Sequence, residues 1–193
     1  MAATPSTMLA LGTKAPEFAL PDTISGATIT RRSFESRPLL VMFICNHCPF
    51  VKHIASELAS LGRDYAGRLA IIAISSNDAT GYPDDAPDKM RAEAKRAGYS
   101  FPYLHDESQA VAKAYRAACT PDFFLFDTTH ALVYRGQLDD SRPSNGLPVN
   151  GADLRGAIEC VLASRAVGAR QLPSIGCNIK WKAGNEPDYA RSR

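Results

Sequence analysis

Cys45 and Cys48 stand three positions apart in LLVMFICNHCPFVKHI, residues 39–54, with Asn46 and His47 between them. Two thiols at this spacing can hold a metal, close a structural bridge or pass electrons. A zinc knuckle needs a second close pair of ligands, whereas Cys119, Cys160 and Cys177 are isolated from one another. No metal and no cofactor is therefore expected. A bridge closing so small a loop restrains an unfolded chain little, which leaves electron transfer as the leading reading. If Cys45 ends an apolar strand and Cys48 lies in the first turn of a helix, the unpaired N–H groups of the helix start favour thiolate over thiol. Cys45 is then the expected nucleophile, with a pKa below the roughly 8.5 of a free cysteine, and Cys48 the thiol that resolves a mixed disulfide. A protonated His47 would favour the thiolate further and make the disulfide more oxidising; otherwise it is a solvent-facing spacer.

The flanking pattern supplies those elements. LLVMFI (39–44) is a continuous apolar run of strand length, as expected for a strand covered on both faces. Val51, Ile54, Leu58 and Leu61 then recur at helical steps, with Gly62 or Gly67 near the helix end. LAIIAIS (69–75) is a second covered strand, followed by the polar loop SNDATGYPDDAPD. Asp85 with Asp88 has capping-box spacing before a helix ending at Gly98, and Asp106 with Gln109 repeats that signal. FFLFD (123–127) and ALVYRG (131–136) read as a hairpin, and Asn150 with Asp153 opens a last helix running to Gly168. The order predicts an α/β three-layer sandwich, a mixed central sheet with helices on both faces. It is preceded by an N-terminal extension in which EFAL and ATIT form an arm or hairpin. The expected division is a flexible N-terminus over 1–12, one domain over 13–168, and a tail over 169–193 packed back on it. That tail is aperiodic but carries Ile175, Ile179 and Trp181, which seek cover within the monomer or in a homodimer contact.

Composition bounds the rest. The 193 residues suffice for one full core, and 45% hydrophobic with 22% charged residues is ordinary for a soluble protein. A formal charge of +2 predicts no nucleic-acid partner. The start lacks a signal-peptide pattern and no stretch reaches membrane-spanning length, so a cytoplasmic protein without a membrane partner is expected. Five cysteines are too few for a disulfide scaffold, and in a reducing compartment a close pair points to catalysis or metal binding rather than to a structural bridge.

The strand, the CxxC at a helix start and the later CTPDFFLFD (119–127) resemble the thioredoxin-like superfamily. FICNHCPFVKH with GCNIKWK is similar, more specifically, to its redoxin branch, the AhpC/TSA peroxiredoxin-like proteins. The resemblance implies an antioxidant or thiol-redox oxidoreductase and a cis bond at Thr120–Pro121 facing the cysteine pair. It also implies protein or small-molecule disulfides as partners, with a thiol reductant such as thioredoxin or glutathione. Thioredoxins carry a tryptophan before the first cysteine and Gly-Pro between the two; here Ile44 and Asn46-His47 stand in those places. Peroxiredoxins place a proline seven positions, and a threonine or serine three positions, before the reactive cysteine. Counted from Cys45, Pro38 fits and Met42 does not; counted from Cys48, Val41 and Cys45 both fail.

Three functions stay open: a thiol:disulfide oxidoreductase, a thiol-dependent peroxidase acting on hydroperoxides, and a redox-sensing module that binds a protein partner. Around the pair, Cys119 and Cys177 are candidate additional redox sulfurs. Asp122, ahead of Asp22 and Glu57, is the candidate buried proton acceptor, and Arg135 the candidate electropositive support. Cys160 reads as an inert thiol.

Overall fold

The structure, a computed structural model, describes residues 3–191. Its centre is a five-stranded sheet. The strands β4 (Leu39–Phe43), β5 (Ala70–Ser75), β6 (Tyr103–His105), β8 (Asp122–Phe126) and β9 (Leu132–Gly136) lie in the order β6-β5-β4-β8-β9. β4, β5 and β6 run parallel, while β8 and β9 are antiparallel additions. This is the mixed sheet expected, with β4 at its middle and every residue of β4 buried.

Alternation along β4 divides the core. Leu40 and Met42 face α1 (Pro49–Asp64), α2 (Pro87–Ala97) and α4 (Ala152–Leu162) through Val51, Ile54, Leu58, Met90, Leu154 and Ile158. Leu39, Val41 and Phe43 face α3 (Ala110–Ala114), Phe18 and Leu20, where Phe43, Tyr115 and Phe124 pack at ring separations of 5.6 to 5.8 Å. The N-terminal arm forms the hairpin of β2 (Ala19–Pro21) and β3 (Thr28–Thr30).

Several boundaries differ from the sequence reading, each for a local reason. α1 starts at Pro49, which makes Cys48 its N-cap and leaves Cys45 two residues beyond β4. α2 is capped by Ala86, not Asp85, whose side chain is drawn into the interior. Gly98 ends α2 at φ 74°, as its position predicts. α4 ends at Leu162, short of Gly168. The largest departure is a second sheet: β10 (Ile175–Asn178), in the supposedly aperiodic tail, runs antiparallel between β1 (Ala3–Pro5) and β7 (Cys119–Thr120). Ala3–Pro5 was expected within a flexible N-terminus and is instead strand-paired; four residues of a tail leave no periodicity to read.

Candidate active site

Cys45 and Cys48 meet at Thr120. The Cys45 sulfur lies 3.3 Å from Thr120 Oγ1, and the Cys48 sulfur 3.1 Å from the Thr120 carbonyl oxygen. The Thr120–Pro121 bond is cis, as the resemblance implied. Both sulfurs are closed off, Cys45 at 1% and Cys48 at 0% exposure.

The electrostatics correct one expectation. Because the helix begins only at Pro49, its first N–H groups serve Cys48 rather than Cys45. The Cys45 thiol, the Cys177 thiol, the Val51 N–H and the Cys177 N–H all favour a Cys48 thiolate, against the cost of burial. Thr120 O favours the Cys48 thiol, which can donate to it, but one acceptor stands against four donors. Cys48 is accordingly the more acidic sulfur, held well below its ordinary value. Cys45 is pushed well above its ordinary value by donating to Cys48, then by burial and by the nearby Asp85 carboxylate.

Asp85 is the residue that the sequence reading missed. It sits in a 3-10 turn at Pro83–Asp85 with no exposed surface. Its Oδ1 accepts the Asn46 N–H at 2.8 Å; its Oδ2 lies 2.6 Å from His47 Nδ1 and accepts from Asn77 Nδ2 at 2.8 Å. Asn46 also donates to Asp84 O and accepts from the Tyr103 hydroxyl, so both loop residues are tied down. The His47 ring stacks on Tyr82, with centroids 5.3 Å apart, so it is neither a solvent-facing spacer nor turned solely toward sulfur. The capping-box spacing with Asp88 disguised Asp85 as a helix start, and no local signal distinguishes the two roles. Cys45, His47 and Asp85 each offer one ligand atom, all within 4.8 Å of one another, the arrangement among the described residues that could hold a metal. Both Asp85 oxygens are already engaged by the loop it orders.

The other candidates separate. Asp122 is fully buried and has its pKa raised to about 7, chiefly by burial, while Ser6, the Ala118 and Phe123 N–H groups and the Arg135 charge favour its ionised form. Arg135 donates through Nε to Leu9 O. Asp22 receives the Tyr103 and Ser25 N–H groups, and Glu57 pairs with Arg155 at 2.6 Å, so these two carboxylates are engaged elsewhere. Cys119 is buried with its sulfur 3.5 Å from Pro121 O, whereas Cys177 lies opposite Thr120 on β10 and joins Cys45 and Cys48 in one buried cluster. Cys160, on α4, lines a separate open groove of about 370 Å³.

Comparison with known proteins agrees with this geometry. The profile of the AhpC/TSA family matches residues 11–135. An uncharacterized conserved protein from Geobacillus kaustophilus superposes with a TM-score of 0.92 at 52% identity, over 94% of this chain and 97% of that one. A hypothetical protein from Sinorhizobium meliloti gives 0.91 at 55% identity, over 94% and 100%. A secreted disulfide oxidoreductase from Mycobacterium tuberculosis shares the fold alone, with a TM-score of 0.58 at 15% identity over 74% and 95%. No curated protein matches the chain.

Proposed function

This chain belongs to the AhpC/TSA family, and from that premise we propose that it is a thiol:disulfide oxidoreductase working through Cys45 and Cys48. The observation that carries the reading is a buried cysteine pair whose two sulfurs both meet Thr120, beside a cis Thr120–Pro121 bond. Cys48 holds the charge of the resting pair and acts as base. The Cys45 proton passes to it along their shared hydrogen bond as Cys45 attacks a substrate disulfide. One substrate sulfur leaves as a thiol, taking that proton from Cys48, and the other forms a mixed disulfide with Cys45. The Cys48 thiolate so restored then attacks the Cys45 sulfur, closing the Cys45–Cys48 bridge and releasing the second substrate sulfur as a thiolate that takes a proton from water. Two electrons pass from protein to substrate, and an external thiol reductant restores the pair. Turnover of glutathione disulfide or a disulfide-bonded peptide with a dithiol donor tests it. C45S should lose activity by about a hundredfold or more, while C48S, lacking both the base and the resolving thiol, should form a mixed disulfide on Cys45 slowly and then fail to release it. Wild-type turnover in both variants refutes the assignment.

One observation favours a peroxidase as the second reading: Thr120 Oγ1, 3.3 Å from the Cys45 sulfur, offers the hydroxyl that the sequence register lacks. Stopped-flow reaction with hydrogen peroxide separates the two. Oxidation no faster than that of a free thiol of equal pKa excludes the peroxidase.

A further inference from the structure

We propose that Cys177 is a third redox sulfur of this site, exchanging with the Cys45–Cys48 disulfide at Cys48 to form a Cys48–Cys177 bridge. The inference rests on the dithiol reading above. β10 lies along β7 with Cys177 opposite Thr120, the residue on which both members of the pair converge. Cys177 shares a buried cluster with Cys45 and Cys48, and its thiol and backbone N–H both favour a Cys48 thiolate.

This placement is built rather than incidental. A Cβ on Gly176 would stand 2.0 Å from Thr120 O, so only glycine allows the strand to approach so closely. The tail is tied on both sides of Cys177. Ser174 Oγ donates to Pro121 O at 2.6 Å, the Ile179 N–H to Ala118 O at 3.1 Å, and the Lys180 N–H to Asn77 Oδ1 at 2.8 Å. β7 therefore already carries a strand along the edge beside the cysteine pair, and that strand presents a thiol to Cys48.

The exchange balances without an added oxidant. The Cys177 thiolate attacks Cys48 Sγ, the Cys45–Cys48 bond breaks, the Cys48–Cys177 bond forms, and Cys45 takes up the proton that Cys177 lost. Two thiol equivalents remain oxidised throughout. In the reduced protein, burial and then the neighbouring Cys48 thiolate keep Cys177 protonated, with its pKa raised to about 12. Oxidation of Cys48 removes the second of these causes, while Lys180 continues to favour a Cys177 thiolate. The product leaves Cys45 reduced again and the oxidised equivalent covalently holding the tail.

The test uses the full chain. Reduced wild type and C45S are oxidised with one equivalent of diamide, quenched in acid, alkylated and mapped by non-reducing peptide mass spectrometry. C45S should yield Cys48–Cys177 as its intramolecular bridge. Oxidised wild type should show alkylated Cys45 in chains carrying that bridge, whereas oxidised C177S should hold Cys45 in the Cys45–Cys48 bridge and leave it about tenfold or more less alkylated. If C45S forms no Cys48–Cys177 bridge while wild type closes Cys45–Cys48, Cys177 is not a redox sulfur and the dithiol reading stands. If wild type closes neither a Cys45–Cys48 nor a Cys48–Cys177 bridge, both fall. Because the C45S map leaves Cys177 and β10 unaltered, the result does not depend on how well C177S folds.

Discussion

At the scale of single residues, one proline moves the charge. Pro49 suits the first helical position, where a missing N–H costs little, so α1 opens there with Cys48 as its cap. Reduced wild type should therefore carry one thiolate at neutral pH that persists in C45S and vanishes in C48S, read by thiolate absorbance across a pH titration. Loss in C45S with retention in C48S would move the charge back to Cys45. Asp122 offers a second test because its burial has a sign. Unfolded, its carboxyl ionises near the ordinary value; folded, it keeps its proton to about pH 7. Folding therefore takes up a proton between those values, and the stability contributed by this group falls as pH rises through that window. Asp122→Asn, measured by thermal melts, should gain on wild type by on the order of 1–3 kcal/mol between about pH 5 and about pH 8. An offset that does not change with pH would show that Asp122 is not held protonated.

Among the elements, the short β10 does more to shape the site than its four residues suggest. Its pairing with β7 covers the edge beside the cysteine pair, and Gly176 sets how closely it lies. Gly176→Ala places a methyl group against backbone that cannot rotate away, so the strand must shift outward. The expected cost is roughly 1–3 kcal/mol of stability, together with faster alkylation of Cys177, seen in a thermal melt and a timed labelling experiment. Unchanged melting with Cys177 still protected would mean that the strand relaxes in place. By contrast, α1 and β4 act as a stiff bracket: both are buried along the contact face, and neither has an obvious way to bring the sulfurs to solvent.

For the molecule as a whole, the question is how a substrate reaches sulfurs that are closed off. The cover consists of the 76–86 loop and the tail, and Asn77 joins them: its Nδ2 donates to Asp85 and its Oδ1 accepts the Lys180 N–H. Removing this bridge should loosen both lids at once. Asn77→Ala is expected to speed alkylation of Cys45 and Cys48 by about tenfold, with a melting-temperature loss corresponding to roughly 1–3 kcal/mol. If labelling stays at the wild-type rate, access runs by another path, such as the side where Asn46 borders Lys52, Lys89 and Arg96.

The placing of Thr120–Pro121 opposite the cysteines was implied by the family resemblance; the sequence alone determined the α/β sandwich, the strand–CxxC–helix order and the apolar stripe of α1. Each of these is carried by local periodicity or by a motif of fixed spacing. It could not place Asp85 against His47, because a carboxylate three positions before another acidic residue looks like a cap whichever way its side chain turns. Nor could it separate Asp122 from Asp85 as the carboxylate near Cys45, since nearness along the chain is not nearness across a sheet. The distribution of charge between Cys45 and Cys48 and the arrival of Cys177 beside them were decided only by the tertiary structure. Both depend on which donors and strands converge from distant parts of the chain, and a buried thiol takes its acidity from those neighbours.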